Sequence, residues 1–217
     1  RASQYATGKN NKISGNNTAT ATNSINFTAA GDISLTGRNV SISGNSATVS
    51  ADAIQHTSSG TVGNINNLSG VQKATATTLV NFTAGADINI TAHTGNLSVD
   101  AEDYASASAR QMANNDKGAK ISTTGNTATA TDSITFKAGS DISLSAKGNV
   151  LVSGGSAYAY ANQRAINSAD DKGTYSGNQS ATASNTVTFS ATTGNISLSA
   201  TNGTASIINQ VASASAC

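Results

Sequence analysis

The sequence predicts an all-β protein, a parallel β-solenoid built from four repeats of about 54 residues. All four phenylalanines of the 217-residue chain recur at spacings of 55, 54 and 53 residues. Each lies in a phrase in which apolar and small polar residues alternate, the period of a half-buried β-strand and not of a helix. The phenylalanine phrases are residues 24–29, 79–84, 133–138 and 186–191, with Phe27, Phe82, Phe136 and Phe189 as the predicted structural core stack.

Two further strand phrases follow each phenylalanine phrase. Gly, Asn or Asp residues separate them, as expected for corners between short strands. Short strands with regular corners and a long-range repeat favour a solenoid, in which each strand pairs in parallel with its equivalent in the next turn. The second phrases are residues 31–35, 86–90, 140–144 and 194–198, and the third are 39–42, 96–99 and 149–152, with 204–207 as a degenerate copy.

An alternating Ala-Thr phrase precedes each phenylalanine phrase. It predicts a strand whose inner face carries only methyl groups, which suits a narrow part of a solenoid. Residues 53–73, 101–126 and 156–179 vary between copies and hold many of the charges, so we expect looser strand-bearing turns or loops there. The Ala-Thr phrases are residues 18–22, 74–77, 127–131 and 180–184.

The repeat also sets the predicted boundaries and length. One unit divides into two turns of about 27 residues or three of about 18, and two turns are preferred, which gives a rod about 40–60 Å long. An antiparallel sandwich or array of small β domains, and disorder, are the alternatives. We expect a single solenoid over residues 1–217, with units at approximately 18–73, 74–126, 127–179 and 180–217 (partial), and with 1–17 ending a preceding unit.

The composition excludes several classes of protein. Ala 37, Ser 31, Thr 29, Asn 25 and Gly 20 make up about two-thirds of the chain, a bias that suits a thin repetitive rod better than a compact globule. A net charge of +1 gives no electrostatic footprint for nucleic acid or an anionic membrane. No apolar run approaches the roughly 20 residues that span a bilayer. The single cysteine, Cys217, allows no internal disulfide framework; it is an incidental terminus or forms an intermolecular bridge.

The clearest copy of the repeat covers residues 138–152 and reads Ala-Gly-Ser-Asp-Ile-Ser-Leu-Ser-Ala-Lys-Gly-Asn-Val-Leu-Val. This phrase resembles the repeats of filamentous haemagglutinin-type adhesins. The resemblance implies a right-handed parallel β-helix, exported by two-partner secretion and located outside the cell or on the bacterial surface. The unit of about 54 residues is longer than the short coil usual in that family.

One acidic position recurs in the repeat. It is occupied by Asp32, Asp87 and Asp141, and by Asn195 in the fourth copy. Copies separated by two or three turns would lie about 10–14 Å apart, too far to share a metal ion or to act as a glycosidase pair. We therefore predict that these side chains cap corners by accepting hydrogen bonds from backbone amides.

Aromatic and histidine residues outside the repeat phrases are the other candidates. The tyrosines could stack on sugars or on a neighbouring chain; alternatively, the rings lie on the solenoid surface or fill a wide turn. His56 and His93 have no cysteine or paired carboxylate at metal-ligand spacing, so exposed surface is the simpler interpretation. The candidate surface ligand contacts are Tyr104, Tyr158, Tyr160 and Tyr175.

The sequence holds no motif for catalysis, a cofactor or a metal. A Gly-x-Ser-x-Gly elbow, a Walker loop and a His-Glu-x-x-His motif are all missing. Thr-x-Thr recurs in the Ala-Thr phrases, and regular threonine arrays on solenoids can bind ice. Such an array needs successive turns, so one copy per 54 residues argues against ice binding.

These observations favour a non-catalytic structural and adhesive rod section of an extracellular bacterial surface protein. Its expected partners are host or matrix glycans and surface proteins, or further copies of itself. The alternative is a self-assembling extracellular filament subunit, because unpaired strand edges are templates for pairing and the repeat shows no polar terminal turn. A carbohydrate-binding or carbohydrate-cleaving β-helix is the third hypothesis.

Overall fold

A computed structural model describes residues 1–7, 12–43, 48–58, 67–101, 104–115, 120–167 and 174–217. These residues form β-strands and no helix. In chain order the strands are β1 (Ala2–Thr7), β2 (Lys12–Ser14), β3 (Asn17–Ala29), β4 (Ile33–Gly37), β5 (Val40–Ser43), β6 (Thr48–Ser58), β7 (Asn67–Ser69), β8 (Gln72–Ala84), β9 (Ile88–Ala92), β10 (Leu97–Asp100), β11 (Tyr104–Asn115), β12 (Lys120–Ala138), β13 (Ile142–Ala146), β14 (Val150–Ser153), β15 (Ser156–Asn167), β16 (Thr174–Ala191), β17 (Ile196–Ala200), β18 (Ala205–Ile208) and β19 (Ala212–Ala216).

The strands form four separate sheets in which every pair is parallel. We call them the tyrosine sheet (β1-β6-β11-β15-β19), the phenylalanine sheet (β2-β7-β12-β8-β3, with β16 on β12), the first short sheet (β17-β13-β9-β4) and the second short sheet (β18-β14-β10-β5). The prediction of an all-β protein with parallel sheets is confirmed, and the arrangement is compatible with a β-solenoid. Among the described residues no helix could cross a membrane.

Equivalent residues of consecutive repeats are direct neighbours in these sheets. Phe27 pairs with Phe82, Phe82 with Phe136, and Phe136 with Phe189. Each repeat therefore supplies one layer of strands, and neighbouring layers are about 4.8 Å apart. The predicted two or three turns per repeat are wrong, and so is the predicted length, because the five-stranded tyrosine sheet spans only about 19 Å.

The length of the strands explains this difference. The Ala-Thr and phenylalanine phrases join into one continuous strand, which has 13 residues in β3 and in β8. The variable segments, predicted as looser turns or loops, supply further long strands: β6, β11 and β15 of the tyrosine sheet, with 11, 12 and 12 residues. The strands and corners of a single layer therefore account for all the residues of one repeat.

The interior holds two different apolar clusters. Phenylalanine and aliphatic side chains fill the space between the second half of the long strands and the two short sheets. A second cluster contains only alanine, contributed by the tyrosine sheet and by the first half of the long strands. Since alanine projects only a methyl group, these two sheet faces can pack closely. The Ala-Thr phrases thus provide the small inner face that one side of the molecule uses.

The four phenylalanines form one continuous stack. Consecutive ring centroids are 4.8 Å apart, and the ring planes differ by 5°, 3° and 6°. Phe82 and Phe136, in the middle of the stack, are fully buried, whereas Phe27 and Phe189 are partly buried.

A ladder of glutamine side chains runs through the interior beside the alanine cluster. Gln55 Nε2 donates to Gln4 Oε1 (2.9 Å), Gln111 Nε2 to Gln55 Oε1 (2.8 Å) and Gln163 Nε2 to Gln111 Oε1 (3.1 Å). Gln55 and Gln111 are fully buried. A buried amide without a hydrogen-bond partner costs free energy, so the ladder stabilises this register.

The recurrent acidic position forms a second ladder at a corner. Asp32 Oδ1 accepts a hydrogen bond from the amide of Asp87 (3.0 Å), Asp87 Oδ1 from that of Asp141 (2.9 Å), and Asp141 Oδ1 from that of Asn195 (2.6 Å). The expected separation of 10–14 Å between copies is wrong, because each layer is only one strand spacing from the next. The side chains instead bond the backbone of the adjacent layer.

A third ladder, which the sequence did not predict, lies at the following corner. Asn39 Oδ1 accepts from the amide of Asn96 (3.0 Å), and Asn96 Oδ1 from that of Asn149 (2.8 Å). Asn149 Oδ1 in turn accepts from the amide of Thr204 (2.9 Å). Both corners are therefore held by side chains that join one layer to the next.

The phenylalanine stack predicts a position-dependent loss of stability. Phe136→Ala should lower the free energy of unfolding by about 3–5 kcal/mol, since it empties a fully buried site between two rings. Phe27→Ala, at a partly buried end of the stack, is the matched control and should cost clearly less. Urea denaturation measures both values. Equal losses, or a loss near zero for Phe136→Ala, would contradict the stack.

The acidic ladder predicts that the carboxamide can replace the carboxylate. Asp141→Asn keeps the accepting oxygen for Asn195, so we expect a near-neutral change in the free energy of unfolding. Asp141→Ala removes the acceptor and should cost about 1 kcal/mol. The comparison is made by denaturation with and without calcium. If Asp141→Asn is as destabilising as Asp141→Ala, or if its loss depends on calcium, the corner has an ionic role.

Candidate functional site

The most distinctive exposed surface is the outer face of the tyrosine sheet. In β11 and β15 alanines alternate with larger residues, and the alanines point into the alanine cluster. Because successive strand residues point to opposite sides, Tyr104 of β11 and Tyr158 and Tyr160 of β15 share the outer face. The register places Tyr158 beside Ser106 and Tyr160 beside Ser108. We call Tyr104, Tyr158, Tyr160 and Arg110 the tyrosine face.

Two of the three rings of this face lie close together, and the third lies beside Arg110. Tyr104 and Tyr158 are 49% and 38% exposed, and their ring centroids are 6.1 Å apart with planes inclined by 25°. The Arg110 guanidinium carbon lies 5.2 Å from the centroid of the Tyr160 ring. Arg110 Nε also donates to Ser108 Oγ at 2.6 Å. The hydrogen bond and the ring hold the guanidinium group in place beside the aromatic surface.

A second aromatic group, absent from the predicted contacts, lies on β1 and β6 of the same sheet. Tyr5 is 55% exposed, and its ring meets His56 edge-on at a centroid distance of 5.9 Å. Tyr5 Oη accepts a hydrogen bond from Arg1 Nη2 at 2.6 Å. Its position becomes evident only through the register, which pairs Tyr5 with His56.

The structure does not bring all the predicted site residues together. Tyr175 belongs to β16 of the phenylalanine sheet, where its backbone pairs with Ile121, and its side chain lies outside the described residues. His56 is half-buried in the tyrosine sheet, and His93 is exposed at a corner after β9. The two histidines, predicted to be exposed surface, thus differ. Of the charged residues in the variable segments, Glu102, Asp103, Asp116, Lys117, Asp170, Asp171 and Lys172 lie outside the described residues.

The tyrosine face provides contact area and hydrogen-bond donors. Aromatic rings offer apolar area that packs against the C–H faces of sugars or against other side chains. The guanidinium group of Arg110 supplies N–H donors in a fixed planar arrangement. Such a surface can hold a ligand by stacking and hydrogen bonding.

Chemistry-bearing groups are sparse on the described part of the chain. There, no three His, Cys, Asp or Glu side chains are grouped so that they could hold a metal ion. An open depression beside β9 and β13 is lined by His93, Lys147 and several hydroxyl and methyl groups, with no carboxylate among its lining residues. The tyrosine face therefore remains the candidate site.

The comparison with known proteins identifies no relative of this chain. No family model, no characterised protein and no solved structure matches the chain. The resemblance to filamentous haemagglutinin-type repeats therefore stays a prediction that rests on the residues of the repeat.

Proposed function

We propose that the chain is a section of a right-handed β-solenoid rod in an extracellular bacterial surface protein, with a structural and adhesive role and no catalytic activity. The observation that carries this proposal is the one-layer register. In-register parallel pairing joins each repeat to the next in all four sheets. A structure that gains length by adding equal layers suits a spacer that displays a repeated surface.

The links between layers support a stiff rod. Phenylalanine stacking, the glutamine ladder and the two corner ladders each run from one layer to the next. These contacts occur at different places around the layer, so bending between layers would disturb at least one of them. Stiffness of this kind favours a role in holding a binding surface away from its attachment.

The tyrosine face is the surface that we assign to adhesion. Exposed tyrosines and a fixed arginine are residues that recur where proteins bind their partners. Its expected ligands are glycans or surface proteins of a host or matrix, which would lie along the outer face of β11 and β15.

Removing two exposed rings should test the adhesive role. In the Tyr104→Ala/Tyr158→Ala variant we expect about tenfold weaker binding to glycan arrays or immobilised matrix proteins, because central aromatic contacts dominate such interfaces. Ser143→Ala, on the outer face of the first short sheet, is the control. Unchanged binding by a correctly folded double variant would show that these rings are not the contact surface.

Self-assembly into filaments is the second proposal, and the edge strands favour it. In the described residues β17, β18 and β19 each pair with a strand on one side only. Ile196, Ile207 and Val211 near this edge are 47%, 51% and 55% exposed. A further layer of the same kind would pair the backbone groups along this edge and cover these side chains. In the filament proposal, a second copy of the chain supplies that layer.

Electron microscopy of the purified chain separates the two proposals. Long unbranched fibres are expected if copies stack end to end, and short isolated particles if the chain is only a rod section. An Ile207→Lys variant places a charge at the free edge and should prevent fibres. Short particles from the unmodified chain at high concentration would exclude filament assembly.

A further inference from the structure

The outer face of the phenylalanine sheet carries an array of hydroxyl groups. In the first half of the long strands, two neighbouring outward positions hold threonine in almost every layer. We call these two columns the threonine face. They consist of Thr20, Thr75, Thr129 and Thr182, and of Thr22, Thr77, Thr131 and Ser184.

Hydroxyl residues also dominate the flanking columns. One flank contains Thr18, Lys73, Thr127 and Ser180, and the other contains Ser24, Leu79, Ser133 and Thr186. Among these sixteen described positions, Lys73 is the one charged residue and no aromatic residue occurs. The threonine face therefore differs in chemistry from the tyrosine face, with its rings and guanidinium group.

The spacing of the array is regular in two directions. Between layers the repeat is 4.8 Å, the distance between consecutive phenylalanine rings in the same strands. Along a strand, outward residues two positions apart are separated by about 6.7 Å. The register is continuous across all four layers from Thr18 to Ala29 and their partners. Hydroxyl groups thus occupy a two-dimensional lattice.

The phenylalanine rings show that the layers of this sheet repeat regularly. Consecutive ring centroids in the same long strands keep a separation of 4.8 Å, and the ring planes differ by only 5°, 3° and 6°. This observation is independent of the threonines, and it means that the spacing between layers is constant over all four layers.

We propose that the threonine face binds the surface of crystalline water. The oxygen atoms in planes of ice repeat at spacings comparable to those of this array. Threonine hydroxyls can hydrogen-bond to water, and the methyl groups between them can hold water in an ordered layer. The sequence argued against ice binding because the motif occurs once per repeat, but that objection assumed several turns per repeat. With one layer per repeat, the motif is present on every successive strand.

The chemistry of the face favours ice over other occupants. A face without rings or a charged cluster lacks the groups that hold a flexible glycan or an acidic polymer. A doubly periodic surface with one lysine among sixteen positions matches a ligand that is itself uncharged and periodic. Face-to-face packing of two copies of this chain is the competing occupant, and it would bury the same threonines.

Ice-affinity partition and inhibition of ice recrystallisation test the proposal directly. The unmodified chain should be incorporated into a slowly growing ice hemisphere and should keep ice grains small. Thr129→Tyr, at the centre of the array, should need about tenfold more protein for the same inhibition, because a bulky ring prevents close contact across the interface. Thr75→Tyr, one layer away, should behave in the same way.

Matched controls separate this proposal from the others. Ser143→Tyr introduces the same ring on the first short sheet, outside both the threonine face and the tyrosine face, and should retain full activity. Far-ultraviolet circular dichroism confirms that each variant folds. Exclusion of the unmodified chain from ice, or equal activity of Thr129→Tyr and Ser143→Tyr, would overturn the proposal. Dimers in sedimentation that Thr129→Tyr dissociates, without ice incorporation, would assign the face to a second copy.

Discussion

The structure depends on one constraint, the parallel pairing of each residue with its equivalent in the next repeat, one strand spacing away. This register places like side chains on top of one another. Phenylalanine gains stacked neighbours, with Phe136 enclosed by Phe82 and Phe189 at 4.8 Å on either side. Amides such as Gln55 and Gln111 can donate and accept at once. Residues that can interact favourably with their own copies therefore suit such a fold.

The same constraint explains why charges are few. A charged residue repeated in every layer would meet like charges about 4.8 Å away, which is unfavourable. In the described strands no lysine or arginine pairs with another, and Lys137, for example, lies between Thr83 and Ser190. The acidic corner is the exception, since Asp87 and Asp141 repeat there. Each of these carboxylates accepts a hydrogen bond from a backbone amide of the following layer, and this bond offsets the repulsion between the like charges.

Much of the fold could be predicted from the repeat, but the number of layers per repeat could not. A period shows which residues are equivalent, and it does not show how many turns separate them. The Ala-Thr and phenylalanine phrases form one continuous strand, in which Ala21 and Phe27 point to the same inner side. Counted as two strands, they suggest more turns per repeat than the structure has. Left-handed backbone at Gly70 and Gly125 is visible only in the structure. The sequence singles out the tyrosines as separate residues, whereas their grouping with Arg110 depends on the register of β11 and β15.

Distances between the phenylalanine rings test the one-layer register most directly. The chain can be produced with ring-¹³C phenylalanine and diluted with unlabelled protein, so that solid-state NMR reports contacts within one molecule. Because the chain has only four phenylalanines, all ring-to-ring contacts arise from the stack. The register predicts strong contacts at a centroid separation of 4.8 Å. Separations of about 10–14 Å, as expected for two or three turns per repeat, would contradict it.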